Sequence, residues 1–183
     1  MKTKLFAIAL LLPICLTACG QNIKKSESPK PAEASSQVIS KPDNPYYSNT
    51  DTAKLNVSDA EWKKVLPPDV YEVSRNADTE RPFTGKYWNT DEKGTYYCAA
   101  CGNKLFRSTA KFSSSCGWPS FYEQDNKSST LYKSDNSIGM ERIEVLCARC
   151  GGHLGHIFDD GPEPTGKRYC MNSIVLDFVP DSK

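Results

Sequence analysis

The 183-residue chain sets 23 Lys and Arg against 22 Asp and Glu, a net charge of +1, and intersperses them rather than gathering a basic stripe. Nucleic acid is therefore excluded as its natural partner. The length suits one folded domain and is short for two.

Lys2 and Lys4 precede an apolar run over residues 5–14 that is too short to span a bilayer as a permanent helix. Leu16-Thr17-Ala18-Cys19 follows it, so residues 1–18 read as a secretory signal. The step resembles the bacterial lipobox, in which the cysteine is acylated and becomes the new N-terminus. Cys19 is thus the expected lipidation site, and a lipid anchor is expected to hold the protein at a membrane of the bacterial envelope. Gly20, where an aspartate would favour inner-membrane retention, leans this towards the outer membrane, facing the periplasm. Residues 19–57 are rich in Ser, Pro, Lys and Asn with few large apolar groups, and read as a flexible tether.

Order is expected from Ser58. Ser58-Asp59-Ala60-Glu61 is a capping box, with Trp62 and Val65 on one helical face. Pro67-Pro68 ends that helix and opens a second short one through Val73. Beyond Arg75 the helical period is lost. Residues 94–98, 139–146 and 173–179 are β-rich, partly alternating and bounded by Gly, Pro, Asn and Asp clusters. The fold class expected is mainly β over residues 58–180, with short N-terminal helices, as a monomer.

Of eight cysteines, Cys15 belongs to the signal and Cys19 to the anchor. Three disulfides are the default for the other six in an exported protein. Cys98-Ala99-Ala100-Cys101-Gly102 and Cys147-Ala148-Arg149-Cys150-Gly151 argue for four plus two instead. Each is built like a zinc knuckle, with two thiolates able to chelate one ion and a glycine that frees the backbone. Two knuckles make a closed, structural four-cysteine site, and Zn2+ fits it best. A thioredoxin-type redox pair and an iron site of similar spacing are the alternatives. Cys116 and Cys170 then remain, with His153 and His156, the only histidines. Cys170 opens the last strand beside Arg168, within reach of an imidazole, an electropositive setting that lowers a thiol pKa. Asp159, Asp160 and Glu163 lack EF-hand spacing and read as a solvated turn.

Cys-x-x-Cys-Gly, Ser-Cys-Gly-Trp-Pro-Ser-Phe from Ser115, Cys-x-x-Cys-Gly-x-His-Leu-Gly-His from Cys147 and Gly-x-Arg-Tyr-Cys-x-Asn-Ser from Gly166 occur in that order. Together they resemble the B-type, methionine-(R)-sulfoxide reductases, over residues 58–179. Residues 75–80 depart slightly, lacking the glycine more usual before Thr-Glu. The resemblance implies two antiparallel β-sheets, a zinc distal to the active site and no organic cofactor. It implies Cys170 as a nucleophile held ionised beside an imidazole, and Cys116 as the resolving thiol. His153 and His156 are the implied proton donors, Asn172 holds the polar part of the site, and Arg168 is the cation near the thiolate. Trp118, with Phe121 and Phe158, would receive the substrate's methyl group. Oxidised proteins would be the substrate, and a thioredoxin-like protein the reductant. A tethered, zinc-stapled β module that binds a partner without catalysis is the competing reading.

Overall fold

The computed structural model describes residues 41–137 and 139–182. The expected signal, Cys19 and the tether as far as residue 40 lie outside these residues. Among the described residues no helix is long and apolar enough to cross a membrane.

Helix α1 (Asp59–Val65) begins as its capping box dictates, with the Ser58 hydroxyl accepting from the Glu61 N–H. Pro68 is the first residue of α2 (Pro68–Asn76), where its missing N–H is no loss. This helix runs three residues past Val73 and ends on Ala77 in the left-handed region, at φ 55°.

Nine strands follow among the described residues: β1 (Gly94–Cys98), β2 (Lys104–Arg107), β3 (Lys111–Phe112), β4 (Ser120–Phe121), β5 (Thr130–Asp135), β6 (Arg142–Cys147), β7 (His153–Phe158), β8 (Arg168–Met171) and β9 (Leu176–Pro180). They pair antiparallel into a three-stranded sheet, β2-β1-β9, and a six-stranded sheet, β3-β4-β8-β7-β6-β5. The expected two-sheet class is thus observed. Both sheets feed one core. Phe106 stacks on Phe121 at 4.4 Å and Tyr96 meets Phe121 edge-on at 5.0 Å. Contacts of this kind stabilise by about 0.5–1.5 kcal/mol each beyond the area they bury.

The expected strand over 173–179 instead begins with a 3-10 turn at Ser173–Val175. There the chain leaves one sheet for the other, and the Glu80 carboxylate replaces the ladder, accepting from the N–H groups of Ser173 (2.6 Å) and Ile174 (3.0 Å). The segment expected over 139–146 becomes strand only from Arg142, after Gly139 at φ 73° in the preceding turn.

The end of the expected tether also differs. Residues 41–57 form no helix or strand, yet they lie as a strap across the two cysteine knuckles. The Asn44 side chain donates to the Ala100 carbonyl (2.9 Å), and the Ser48 N–H to that of Cys101 (3.0 Å). From the second knuckle Arg149, only 4% exposed, donates to the carbonyls of Tyr46 (3.1 Å), Ala53 (3.2 Å) and Cys101 and to the Asp51 carboxylate (2.8 Å). Composition conceals this because much of the strap's hold runs through its backbone groups, which any sequence carries. Replacing Arg149 by alanine strands those acceptors and is expected to cost about 3 kcal/mol in urea unfolding of the metal-loaded protein. A loss below about 1 kcal/mol would show that the strap is not clamped there.

Candidate active site and metal centre

The knuckles sit where strands end: Cys98 closes β1 and Cys147 closes β6. Each turns back on itself, the N–H groups of Gly102 and Gly151 donating to the carbonyls of Cys98 and Cys147 at 2.8 Å, with these glycines at φ 79° and 70°. The four buried sulfurs converge within 4.8 Å of one another, at 3.8 Å for Cys98–Cys150 and 3.6 Å for Cys101–Cys147. A tetrahedral ion with metal–sulfur bonds near 2.3 Å needs sulfur–sulfur edges of about 3.8 Å. The four sulfurs cannot all ionise unaided. Sulfur hydrogen bonding, first with Cys101, and burial push Cys98 well up, while hydrogen bonding, first from Cys101, holds Cys147 well down. Four thiolates packed this closely need a cation, and soft donors with no gap between them suit a closed structural metal site.

A second constellation forms around β8. The register places Cys170 between Ser120 on β4 and His156 on β7. Gly155 is obligatory beside it, since a Cβ there would fall 2.1 Å from the Cys170 carbonyl oxygen. A cavity of about 110 Å³ opens over these strands, lined by Cys170, His156, Asn172, Trp118 and Phe158 among others. Cys116, on the loop before β4, brings its sulfur to 3.6 Å from that of Cys170. A disulfide between them needs only a small closing movement.

The polar groups are fixed from behind. Asn172 donates to the Leu154 carbonyl (3.2 Å) and accepts from the Glu80 N–H (3.1 Å). Trp118 is oriented by its indole N–H, which donates to the Glu80 carbonyl at 3.2 Å. Arg168 makes a two-point pair with Asp160, both contacts 2.8 Å, and its guanidinium lies 4.4 Å over the Phe158 ring. His156 Nε2 lies 2.7 Å from an Asp135 oxygen that also accepts from Arg142 at 2.6 Å. Hydrogen bonds, first from Ser137 and then from His156, hold that carboxyl well below the usual range.

Known proteins now compare directly with this one. The family model described as SelR domain matches residues 66–180. The peptide methionine sulfoxide reductase MsrB of Methanosarcina barkeri is 57% identical over 121 residues, 66% of this chain and 85% of that protein. That of Agrobacterium fabrum is 50% identical over 133 residues, 73% of this chain and 98% of its own length. The chain belongs to the MsrB family.

Several expectations for an MsrB-type site need correction. Phe121, taken as part of the substrate site, is 0% exposed and belongs to the core stack with Phe106 and Tyr96. The two histidines are not equivalent. His156 lines the cavity, whereas His153 is buried outside it, 5.5 Å from the His156 ring, with Nδ1 at 2.7 Å from Glu144. Burial pushes the His153 pKa down against the pull of Glu144, so its imidazole stays neutral near pH 7. The two sulfurs also sit in different electrostatic surroundings. Burial opposes ionisation of Cys116, but hydrogen bonds from Ser114 and Ser120 outweigh it and lower its thiol to about 7. Burial first, then the charge on Cys116, pushes Cys170 up to about 12 against the opposing pull of Arg168. Asp160 shares the Arg168 charge, which weakens that pull.

Asp135, Glu144, Arg142 and Glu80 were not singled out in the sequence. For the first three the signal lay in the β5–β6 register, which pairs Asp135 with Arg142 and Lys133 with Glu144; Glu80, in the loop before β1, carried none. In an MsrB-family chain with this pair, iodoacetamide is expected to modify Cys116 before Cys170 in the reduced, substrate-free protein, with half-maximal rate near pH 7. The thiolate is the reacting form, so the rate falls as pH drops below that value. Peptide mapping that finds Cys170 modified first would contradict this charge assignment.

Proposed function

We propose that the protein is a thiol-dependent reductase that returns methionine (R)-sulfoxide residues of proteins to methionine, with Cys170 as its nucleophile. The observation that carries this reading is Cys170 at the floor of a small cavity walled by Trp118 and Phe158, 3.6 Å from a second thiol, in a chain of the MsrB family. The sulfoxide's methyl end enters against the two aromatic faces, which suit a methyl gaining positive character. A lone pair on the Cys170 sulfur attacks the sulfoxide sulfur, and the oxygen passes to Cys170. His156, the imidazole in the cavity, relays the Cys170 proton to this oxygen, with Asp135 fixing its ring. Methionine leaves, and Cys170 remains as a sulfenic acid. The Cys116 sulfur then displaces water to form the Cys116–Cys170 disulfide, and a thioredoxin-like dithiol reduces it.

The raised Cys170 pKa gives this scheme its order. A neutral thiol resists adventitious oxidation, and Cys170 gives up its proton only when a bound sulfoxide oxygen is there to take it by way of His156. Asn172 and His153 act by positioning, the first holding the turn beneath the cavity and the second packing behind His156. Cys98, Cys101, Cys147 and Cys150 would hold one Zn2+ as a structural ion, and none of the four lines the cavity. The step Leu16-Thr17-Ala18-Cys19 supports an exported, lipid-anchored form repairing oxidised envelope proteins, with Cys19 carrying the lipid.

The test is a dithiothreitol-supported assay on peptides carrying resolved R or S sulfoxide. The R peptide is expected to react at least about 100-fold faster, a difference of about 2.7 kcal/mol in the transition state. Equal rates, or turnover of the S form alone, would sink the assignment.

A further inference from the structure

Phe83 has no part in that scheme, yet the structure holds it in an unusual way. Its backbone is in the left-handed region, φ 66°, which bulky residues rarely adopt, and its side chain is left 54% exposed. The Cys116 loop holds it there. The Phe83 N–H donates to the Gly117 carbonyl at 2.8 Å, and the ring packs where Gly117, at φ 89°, has no side chain. A Cβ on Gly117 would fall 2.8 Å from Phe83 N and 3.0 Å from its Cδ2. Trp88 supports the ring edge-on at 5.3 Å. From Trp88 a groove of about 480 Å³ runs past Lys111 and Phe112 to Ser113, at the start of the same loop. Neither Phe83 nor this groove touches the sulfoxide cavity. An exposed ring and a groove thus flank the loop sulfur rather than the substrate sulfur.

We propose that Phe83, Trp88 and the groove from Trp88 to Ser113 form the docking surface for the protein dithiol that reopens the Cys116–Cys170 disulfide. This rests on the two-cysteine cycle above and adds where its reductant binds. Cys170 lies in β8 between two neighbouring strands, whereas Cys116 lies on a loop between exposed Ser113 and Ser115 and the exposed ring. The donor's thiolate therefore attacks the Cys116 sulfur. The bond between the two protein sulfurs breaks, and Cys170 takes up a proton from water as it departs, leaving as the neutral thiol its buried site favours. The donor's second thiol, once ionised, attacks its own sulfur in the mixed disulfide and expels Cys116. The donor ends as a disulfide and the protein as two thiols, a two-electron exchange. A small dithiol needs no docking surface for this, but a protein dithiol does, and exposed aromatics are common anchors of such contacts.

The variant Phe83→Gly tests the surface, since glycine adopts the same backbone without strain and the fold is retained. Turnover of an R-sulfoxide peptide is measured with dithiothreitol and with a purified bacterial thioredoxin kept reduced by its reductase. KM for thioredoxin is expected to rise about tenfold in the variant. The dithiothreitol-supported rate and KM for the peptide are expected to stay within about twofold of the parent's. An unchanged thioredoxin KM, an equal loss with both donors, or a raised peptide KM would each overturn the docking assignment. A parent protein inactive even with dithiothreitol would instead overturn the reductase reading itself.

Discussion

Cys170→Ser is expected to abolish sulfoxide reduction, lowering the single-turnover rate by at least about a thousandfold while leaving the protein folded. Losses of this order accompany removal of a nucleophile in other enzymes. The serine hydroxyl has nearly the shape of the thiol and sits in the same place in β8, between Ser120 and His156. It is nonetheless a far weaker nucleophile, and it cannot accept oxygen as a sulfenic acid. The cavity walls, Trp118 and Phe158, are untouched, so peptide binding should persist. Mass spectrometry of wild type after one equivalent of R-sulfoxide peptide should show a loss of two hydrogens, from the Cys116–Cys170 disulfide. In Cys116→Ser the same experiment should add one oxygen at Cys170. Normal turnover by Cys170→Ser would move the chemistry elsewhere in the chain.

Stripping the metal should be the largest structural perturbation. Structural zinc contributes on the order of 10 kcal/mol to a small domain's holo fold, comparable to the whole stability of a typical domain. Here the four sulfurs tie the end of β1, in one sheet, to the end of β6, in the other. Without a cation, four buried thiols have neither a charge partner nor an apolar filling to hold the two ends together. Cys147→Ala, or exhaustive chelation, is therefore expected to give a cooperatively unfolded chain at about 25 °C by far-UV circular dichroism, with activity lost in step. Metal analysis of the native protein should return one ion per chain, zinc by this reading. A chelated, metal-free protein with native ellipticity and full turnover would show that the cluster is dispensable.

What was legible in the sequence was whatever is local. Chelation fixes a two-residue step, so the cysteine knuckles stand out, and a cap fixes a three-residue step, so α1 begins at the expected place. The paired prolines mark the join between helices for the same reason. What stayed hidden depends on register or on distance through space. Asp135 and Glu144 become partners of His156 and His153 only once β5, β6 and β7 are aligned. Phe121 shares a motif with Trp118, but β4 starts only at Ser120 and carries Phe121 into the core, while Trp118, on the bend before it, faces the cavity. The motifs pointed to two thiols that the fold does bring together, but not to the charge distribution between them. Which one ionises first depends on the 3.6 Å between them and on the hydroxyls around Cys116, and neither is written in the spacing. The strap's place over the knuckles was hidden likewise, being set by Arg149 reaching back to carbonyls about a hundred residues earlier.

That strap also decides where a mechanical load would land. Any tug arriving from upstream of residue 41 meets first the Lys41–Asp177 ion pair, the Asn44 bond to Ala100 and the grip of Arg149. Behind these stand the four knuckle cysteines, which a bound metal would cross-link. Cys170 and His156 take no part in any of these contacts, so a pull on the strap is borne by groups other than those that carry the sulfur chemistry.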